Sequence, residues 1–155
     1  MTMKTKSKRT FKRYCTMIPL AIETVWLSGY YRFSLLKRPF SQIASKIGTE
    51  QFETERIPQN MAIIRNVNSA VTKVCTHTPW QSQCLVQALT AKKLLNKRSL
   101  PCTLYMGVAK DESNQLIAHA WLRCGNVYVT GGHNKDRFTV TGIYGDAKMI
   151  TNQSM

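Results

Sequence analysis

The sequence predicts an α+β fold in which N-terminal helices pack on a C-terminal antiparallel sheet. Up to about residue 98, apolar residues recur at intervals of three and four, the period of an amphipathic helix. After Pro101 the period changes to two, and short apolar runs alternate with turn residues, as in strands joined by hairpins. Helices first and strands afterwards favour one mixed domain over alternating βαβ units.

Apolar stripes at helical spacing occur in four segments before Pro101. They are residues 17–36, 40–47, 58–78 and 82–96. Proline or glycine separates them: Pro39 and Gly48 flank the second stripe, Pro58 opens the third and Pro79 ends it. Residues 49–57 hold three of the eight acidic residues, which predicts a polar linker.

Alternating residues after Pro101 predict four strands. They are residues 102–109, 116–124, 127–130 and 137–144. Polar residues 111–114 and two glycine-containing pairs, at 125–126 and 131–132, predict the turns between them.

The division of the chain follows from its length and charge. A chain of 155 residues, 43% hydrophobic, suffices for a single domain with its own core. Residues 1–13 hold six Lys or Arg and no acid, so we predict a basic arm there. Residues 14–150 then form one domain, helical over 14–98 and a sheet over 102–145.

The net charge of +14 restricts the class of partner without selecting one. It favours nucleic acid, an anionic membrane surface, or an acidic peptide or protein. No stretch of about 18 residues is both uncharged and strongly apolar, so a membrane-spanning helix is not expected. A basic amphipathic helix lying on a membrane surface stays open as an alternative.

The five cysteines do not indicate a disulfide framework. Their number is odd, and no C-x-x-C pair or zinc-type spacing of Cys and His occurs. We therefore expect reduced thiols in a cytoplasmic protein, with no metal and no cofactor.

Cys84 is the candidate nucleophile because it begins the predicted fourth helix. The unpaired N–H groups and positive dipole end of a helix N-terminus favour a thiolate and can stabilise an oxyanion. A small buried hydrophobe is the alternative interpretation of this cysteine.

His119 is the candidate general base and lies inside the predicted strand 116–124. Alternation places Ile117, His119 and Trp121 on one face of that strand. An imidazole there could take the proton of a thiol and later protonate a leaving amine. A hydrogen-bonded core histidine is the alternative.

The sequence around both residues resembles a known family. The strings are PWQSQCLVQAL at 79–89, LPCTLYMGV at 100–108, AHAWLRCGN at 118–126 and VTGG at 129–132. They are similar to the leader peptidases of lasso-peptide biosynthesis, which are transglutaminase-like cysteine proteases related in fold to papain. The resemblance covers residues 11–145 and is densest in 79–132.

The resemblance implies that Cys84 is the nucleophile and His119 the general base. The reaction would be amide hydrolysis that removes the leader from a ribosomally made precursor peptide. The implied partners are that precursor, a separate leader-binding protein and an ATP-dependent lasso cyclase, and no nucleic acid is expected.

The third catalytic group is open. Many relatives carry an Asp about 12 residues beyond the His, which orients the imidazole. This chain has glycine there, and Asp136 is the nearest downstream acid. Asp136 is therefore the tentative third member, with Asn126, Thr130 or a backbone carbonyl as alternatives.

Four further residues are candidates for substrate binding. Gln81 and Gln83 could donate to an oxyanion, Trp121 could shield the catalytic pair from water, and Gly131 could leave room for a substrate backbone. Helix-start polarity, core packing and an ordinary turn are the respective alternatives.

Three other functions stay open beside the peptidase. One is a nucleic-acid-binding domain, supported by the charge but by no binding motif. The others are a transglutaminase-like enzyme with another acyl acceptor and a non-catalytic peptide-binding relative.

Overall fold

The computed structural model describes residues 3–57, 59–79 and 83–147, with side chains described from Cys15 onward. The helices are α1 Met3–Lys37, α2 Phe40–Ile47, α3 Met61–His77 and α4 Cys84–Asn96. The strands are β1 Thr49–Glu50, β2 Cys102–Lys110, β3 Leu116–Cys124, β4 Val127–Thr130 and β5 Thr139–Gly145, and a 3₁₀ helix, η1, covers Gly132–Arg137. The predicted α+β class, with helices followed by an antiparallel sheet, is confirmed.

The five strands form one antiparallel sheet in the order β1-β5-β2-β3-β4. The β2–β3 hairpin is fully in register, from Cys102 opposite Cys124 to Lys110 opposite Leu116. The last strand, β5, returns to the free edge of β2 and thereby places β2 and β3 at the centre of the sheet.

The segment predicted as a polar linker contributes to the sheet. Thr49 and Glu50 pair with the end of β5, and Thr54 is only 2% exposed. The Thr54 N–H donates to Oγ1 of Thr103 on β2 at 2.9 Å. A two-residue strand carries no periodic pattern, so the sequence could not predict it.

Helix α1 is longer than its apolar stripe indicated. It begins at Met3, so the predicted boundary between a basic arm and the domain falls inside one continuous helix. Among the residues that the structure describes, no helix combines the length and apolarity needed to cross a membrane.

The main core lies between the helices and one face of the sheet. Helix α4 contributes eight buried residues and packs on β2, β3 and β4, while α1 and α3 cover α4. Leu104 of β2 and Ala120 and Leu122 of β3 project into this core. Because side chains alternate along a strand, the intervening residues Tyr105, His119 and Trp121 lie on the opposite face, which we call the open face.

Candidate active site

Cys84 is the first residue of α4 and is partly buried. The preceding residue, Gln83, adopts an extended backbone and makes no side-chain hydrogen bond that caps the helix. The first N–H groups of α4 therefore have no capping side chain from Gln83. Such groups, with the positive end of the helix dipole, favour negative charge on a thiolate or an oxyanion.

The direction of α4 relative to β2 follows from the connection between them. A short loop joins α4 to β2, and Lys92 Nζ donates to the Cys102 carbonyl at 2.9 Å, so the helix and β2 run antiparallel. Cys84 precedes Lys92 by eight residues, or about 12 Å of helix rise. About four residues of β2 cover the same distance and end at Met106, whose partner is Ala120, next to His119.

The His119 ring lies on the open face between two aromatic side chains. Its centroid is 4.9 Å from Phe138 and 5.8 Å from Trp121. Trp121 is only 3% exposed and stacks in turn on Tyr105 at 5.7 Å. Opposite His119 on β2 stands Gly107, where an added Cβ would approach the Trp121 ring to 3.0 Å. Aromatic side chains therefore pack around the His119 imidazole on the open face.

A backbone carbonyl holds the second nitrogen of this imidazole. His119 Nε2 lies 2.9 Å from the carbonyl oxygen of Gly131, 12 residues along the chain. A carbonyl can only accept, so Nε2 carries the proton, and in the neutral ring Nδ1 is then the free acceptor. Nδ1 is therefore the ring nitrogen on which the neutral imidazole could accept a proton.

The conformation of Gly131 makes this contact possible. Its φ is +66°, in the left-handed region that favours glycine. A Cβ at this position would lie 2.6 Å from the Ala120 carbonyl oxygen and 3.1 Å from His119 Nε2. Gly131 therefore supports the histidine, and its role of leaving room for a substrate backbone stays a prediction.

Asp136, the tentative third catalytic residue, is not brought to His119. Its side chain is 87% exposed and forms an ion pair with Lys135 at the end of η1. Of the alternatives, Asn126 is exposed in a turn, and Thr130 Oγ1 is buried without a hydrogen-bond partner. The acceptor that the structure provides is the backbone carbonyl of Gly131.

No hydrogen bond joins Cys84 to His119 among the described residues. The helix that carries Cys84 packs on the core face, while His119 projects from the open face. Strand β4 pairs with β3 from Leu122 to Cys124 and ends at Thr130, so the part of β3 that carries His119 has no β4 residue paired with it.

The other predicted binding residues differ in their surroundings. Gln83 is exposed beside Cys84, while Gln81 lies outside the described residues. Trp121 is buried and contacts His119, Tyr105 and Phe138, as a shield of the ring would.

A polar cluster behind Trp121 was missed by sequence reasoning. The Arg123 guanidinium is fully buried and donates to Tyr105 Oη at 2.9 Å, to Glu53 Oε1 at 2.9 Å and to the Thr54 carbonyl at 2.6 Å. Strand alternation places Arg123 on the His119 face, but no sequence signal pointed to Glu53 as its partner.

The cluster shifts two pKa values in opposite directions. The hydrogen bond from Tyr105, together with the charge of Arg123, holds the pKa of Glu53 below its usual value. Burial, followed by the hydrogen bond to Glu53, raises the pKa of Tyr105 to about 12. At neutral pH the cluster therefore contains a carboxylate, a guanidinium and a neutral phenol.

The described part of the chain contains no group of three or more His, Cys, Asp or Glu side chains that could hold a metal ion.

The α+β fold, with helices followed by an antiparallel sheet, agrees with the comparison of families. The pattern of the transglutaminase-like superfamily matches residues 27–142, about three-quarters of the chain, and the protein belongs to that superfamily. Members are commonly cysteine-dependent enzymes. Comparison with curated proteins and with solved structures found no match.

Proposed function

We propose that this protein is a cysteine peptidase that removes the leader from a lasso-peptide precursor. Superfamily membership supports a cysteine-dependent enzyme, and the resemblance of residues 79–132 to leader peptidases supports the substrate class. The observation that carries the proposal is His119, whose Nε2 is held by the Gly131 carbonyl so that Nδ1 can act as the base.

In the proposed reaction, Cys84 acts from the helix on the core face of the sheet and His119 acts from the open face. His119 Nδ1 takes the Cys84 proton, and the thiolate attacks the carbonyl carbon at the end of the leader. The first N–H groups of α4 stabilise the oxyanion of the tetrahedral intermediate. The imidazolium then protonates the departing amine of the core peptide, and water, activated by the same imidazole, hydrolyses the thioester.

The thiol and imidazole must come within hydrogen-bond reach for this transfer, and catalytic contacts often tighten only in the substrate complex. We propose that the precursor, delivered in the cytoplasm by a separate leader-binding protein, occupies the β3 edge beyond Thr130. The released core would pass to an ATP-dependent cyclase that needs a free N-terminus.

The proposal is tested by incubating the protein with a candidate precursor and its leader-binding partner and measuring product masses. The expected products are the leader and core, with one water added in total. Cys84→Ala should abolish cleavage with unchanged circular dichroism. Cys15→Ala is the matched control because this cysteine is exposed on α1. Cleavage that survives Cys84→Ala would contradict the assigned nucleophile.

An acyltransferase is the second candidate because the superfamily includes such enzymes. It would use the same thioester but pass the acyl group to an amine. Repeating the assay with a small primary amine separates the two: hydrolysis leaves a free carboxylate on the leader, whereas transfer leaves an amide of higher mass.

A further inference from the structure

Helix α1 is apolar on two opposite faces, and only one of them packs against other residues that the structure describes. Leu20, Thr24 and Ser28 are 3%, 0% and 0% exposed and face the helices beneath. Residues two positions away along a helix project about 200° apart, on the other side. That side carries an unpartnered set of exposed apolar residues, which we call the outer stripe: Ile18, Ile22, Val25, Trp26, Tyr30, Phe33 and Leu36.

The outer stripe is too large and too regular to be ordinary surface. Its members are 40% to 78% exposed, with Trp26 the most exposed. From Ile18 to Leu36 it extends about 27 Å along the helix. Continuous exposed apolar patches of this kind mark binding surfaces for proteins or membranes.

Positive charge flanks the stripe at both ends. The α1 residues before Tyr14 include six Lys or Arg and no acid, and Lys37 and Arg38 follow Leu36. Within residues 15–38 the one acid is Glu23, which is paired with Lys97 and Arg98. The outer stripe is therefore an apolar and aromatic surface with positive charge at both ends.

A concavity of about 480 Å³ lies on the stripe at its C-terminal half. Trp26, Tyr30 and Phe33 line it over Gly29, whose missing side chain leaves the space, and Lys37 and Arg38 stand at its end. An apolar chain with an anionic head matches this lining.

We propose that the outer stripe of α1 binds the surface of an anionic phospholipid bilayer. Its apolar side chains enter the interfacial layer, the concavity takes part of an acyl chain, and the flanking cations contact lipid phosphates. Aromatic and basic residues on an amphipathic helix are the combination that such surfaces select. A second copy of this chain is disfavoured because it would bring two +14 charges together.

The experiment is vesicle co-sedimentation with the full chain. Phosphatidylcholine vesicles are compared with vesicles of equal parts phosphatidylcholine and phosphatidylglycerol, at low salt and at about 1 M salt, where the Debye length is about 3 Å. We expect binding to the anionic vesicles alone, weakened at high salt. The double variant Trp26→Glu with Phe33→Glu should lower the partition coefficient about tenfold or more.

The matched control is Leu116→Glu with Val140→Glu, which makes the same charge change at exposed apolar residues of the sheet, 72% and 45% exposed. Both double variants carry the same net charge, 14 − 2 = +12. The control should therefore bind within about threefold of the parent, because it leaves the outer stripe and its flanking cations unchanged. Equal binding of both double variants to the anionic vesicles would overturn the role of the stripe. Equal binding of the parent protein to the neutral and the anionic vesicles would also overturn the proposal. A parent dimer that the stripe variant dissociates, without vesicle binding, would overturn the proposal in favour of a second copy.

Discussion

The two faces of the sheet each bury a charged side chain, but they differ in how completely it is enclosed. On the core face, Lys92 and Asp146 are 3% and 6% exposed and lie 2.7 Å apart. On the open face, Arg123 is fully buried but its partner Glu53 is 39% exposed. In the core-face pair Lys92 belongs to α4, whereas in the open-face pair Glu53 belongs to the irregular segment 51–57.

The difference indicates that the buried pair on the core face serves stability, while the open face leaves a reactive side chain accessible. The Asp146 carboxylate accepts from Lys92, from the Cys102 N–H at 2.8 Å and from Asn96 at 3.1 Å, which ties the end of α4 to β2. The open face instead holds His119, which is half-buried and which must meet substrate under the proposed function. A thinly covered face leaves the imidazole accessible, and the buried Arg123 cluster keeps its aromatic support in place.

The largest effect is expected from Asp146→Ala. Removing one partner leaves the Lys92 ammonium buried without a counter-charge, which should lower the free energy of unfolding by about 3–5 kcal/mol. Urea denaturation measures it. Replacing both partners, by Lys92→Met with Asp146→Leu, should recover part of the loss, and a double variant less stable than Asp146→Ala would contradict this account.

A smaller loss, about 2–4 kcal/mol, is expected from Arg123→Met, because the Tyr105 hydroxyl and two backbone carbonyls lose their donor. Arg56→Met is the control, since Arg56 pairs with the same Glu53 carboxylate at 3.1 Å but is 62% exposed. Its effect should stay within about 0.5 kcal/mol. Similar losses for both variants would show that burial does not distinguish the two arginines.

Gly131→Ala tests the histidine support on the open face. A side chain at φ +66° that contacts the Ala120 carbonyl should cost about 1–3 kcal/mol. Under the proposed function, peptidase activity should fall about tenfold or more, because the carbonyl that orients His119 shifts. Asp136→Asn should change activity less than about twofold. A large loss with Asp136→Asn, and none with Gly131→Ala, would reverse the assignment.

The smallest expected effect is on the pH dependence of the free energy of unfolding. The folded-state pKa of Glu53 lies below its usual value of 4.5, so its stabilisation is present above that value and disappears as pH falls through the folded-state pKa. Thermal unfolding between about pH 6 and pH 3 should therefore show a component that Glu53→Gln removes. An unchanged pH dependence in Glu53→Gln would contradict a stabilising role for this carboxylate.

The elements with clear periodicity were predictable to within a residue or two. The strand at 116–124, the short helix at 40–47 and the alternation that places His119 with Trp121 all follow from local pattern. The helical continuation of α1 to Met3 was not predictable, because its basic residues carry no apolar stripe. The role of residues 49–57 was also hidden, since their partners lie about 50 to 70 positions away.

The sequence by itself determined the α+β class, the position of Cys84 at a helix start and the face of β3 that carries His119, because each depends on near neighbours in the chain. Only the tertiary structure decided that the Gly131 carbonyl holds the imidazole while Asp136 remains in solvent. It also decided that Arg123 and Glu53 meet on the open face and that the outer stripe of α1 is left uncovered. Those outcomes depend on hairpin register, loop path and helix packing, which bring together residues that no local pattern links.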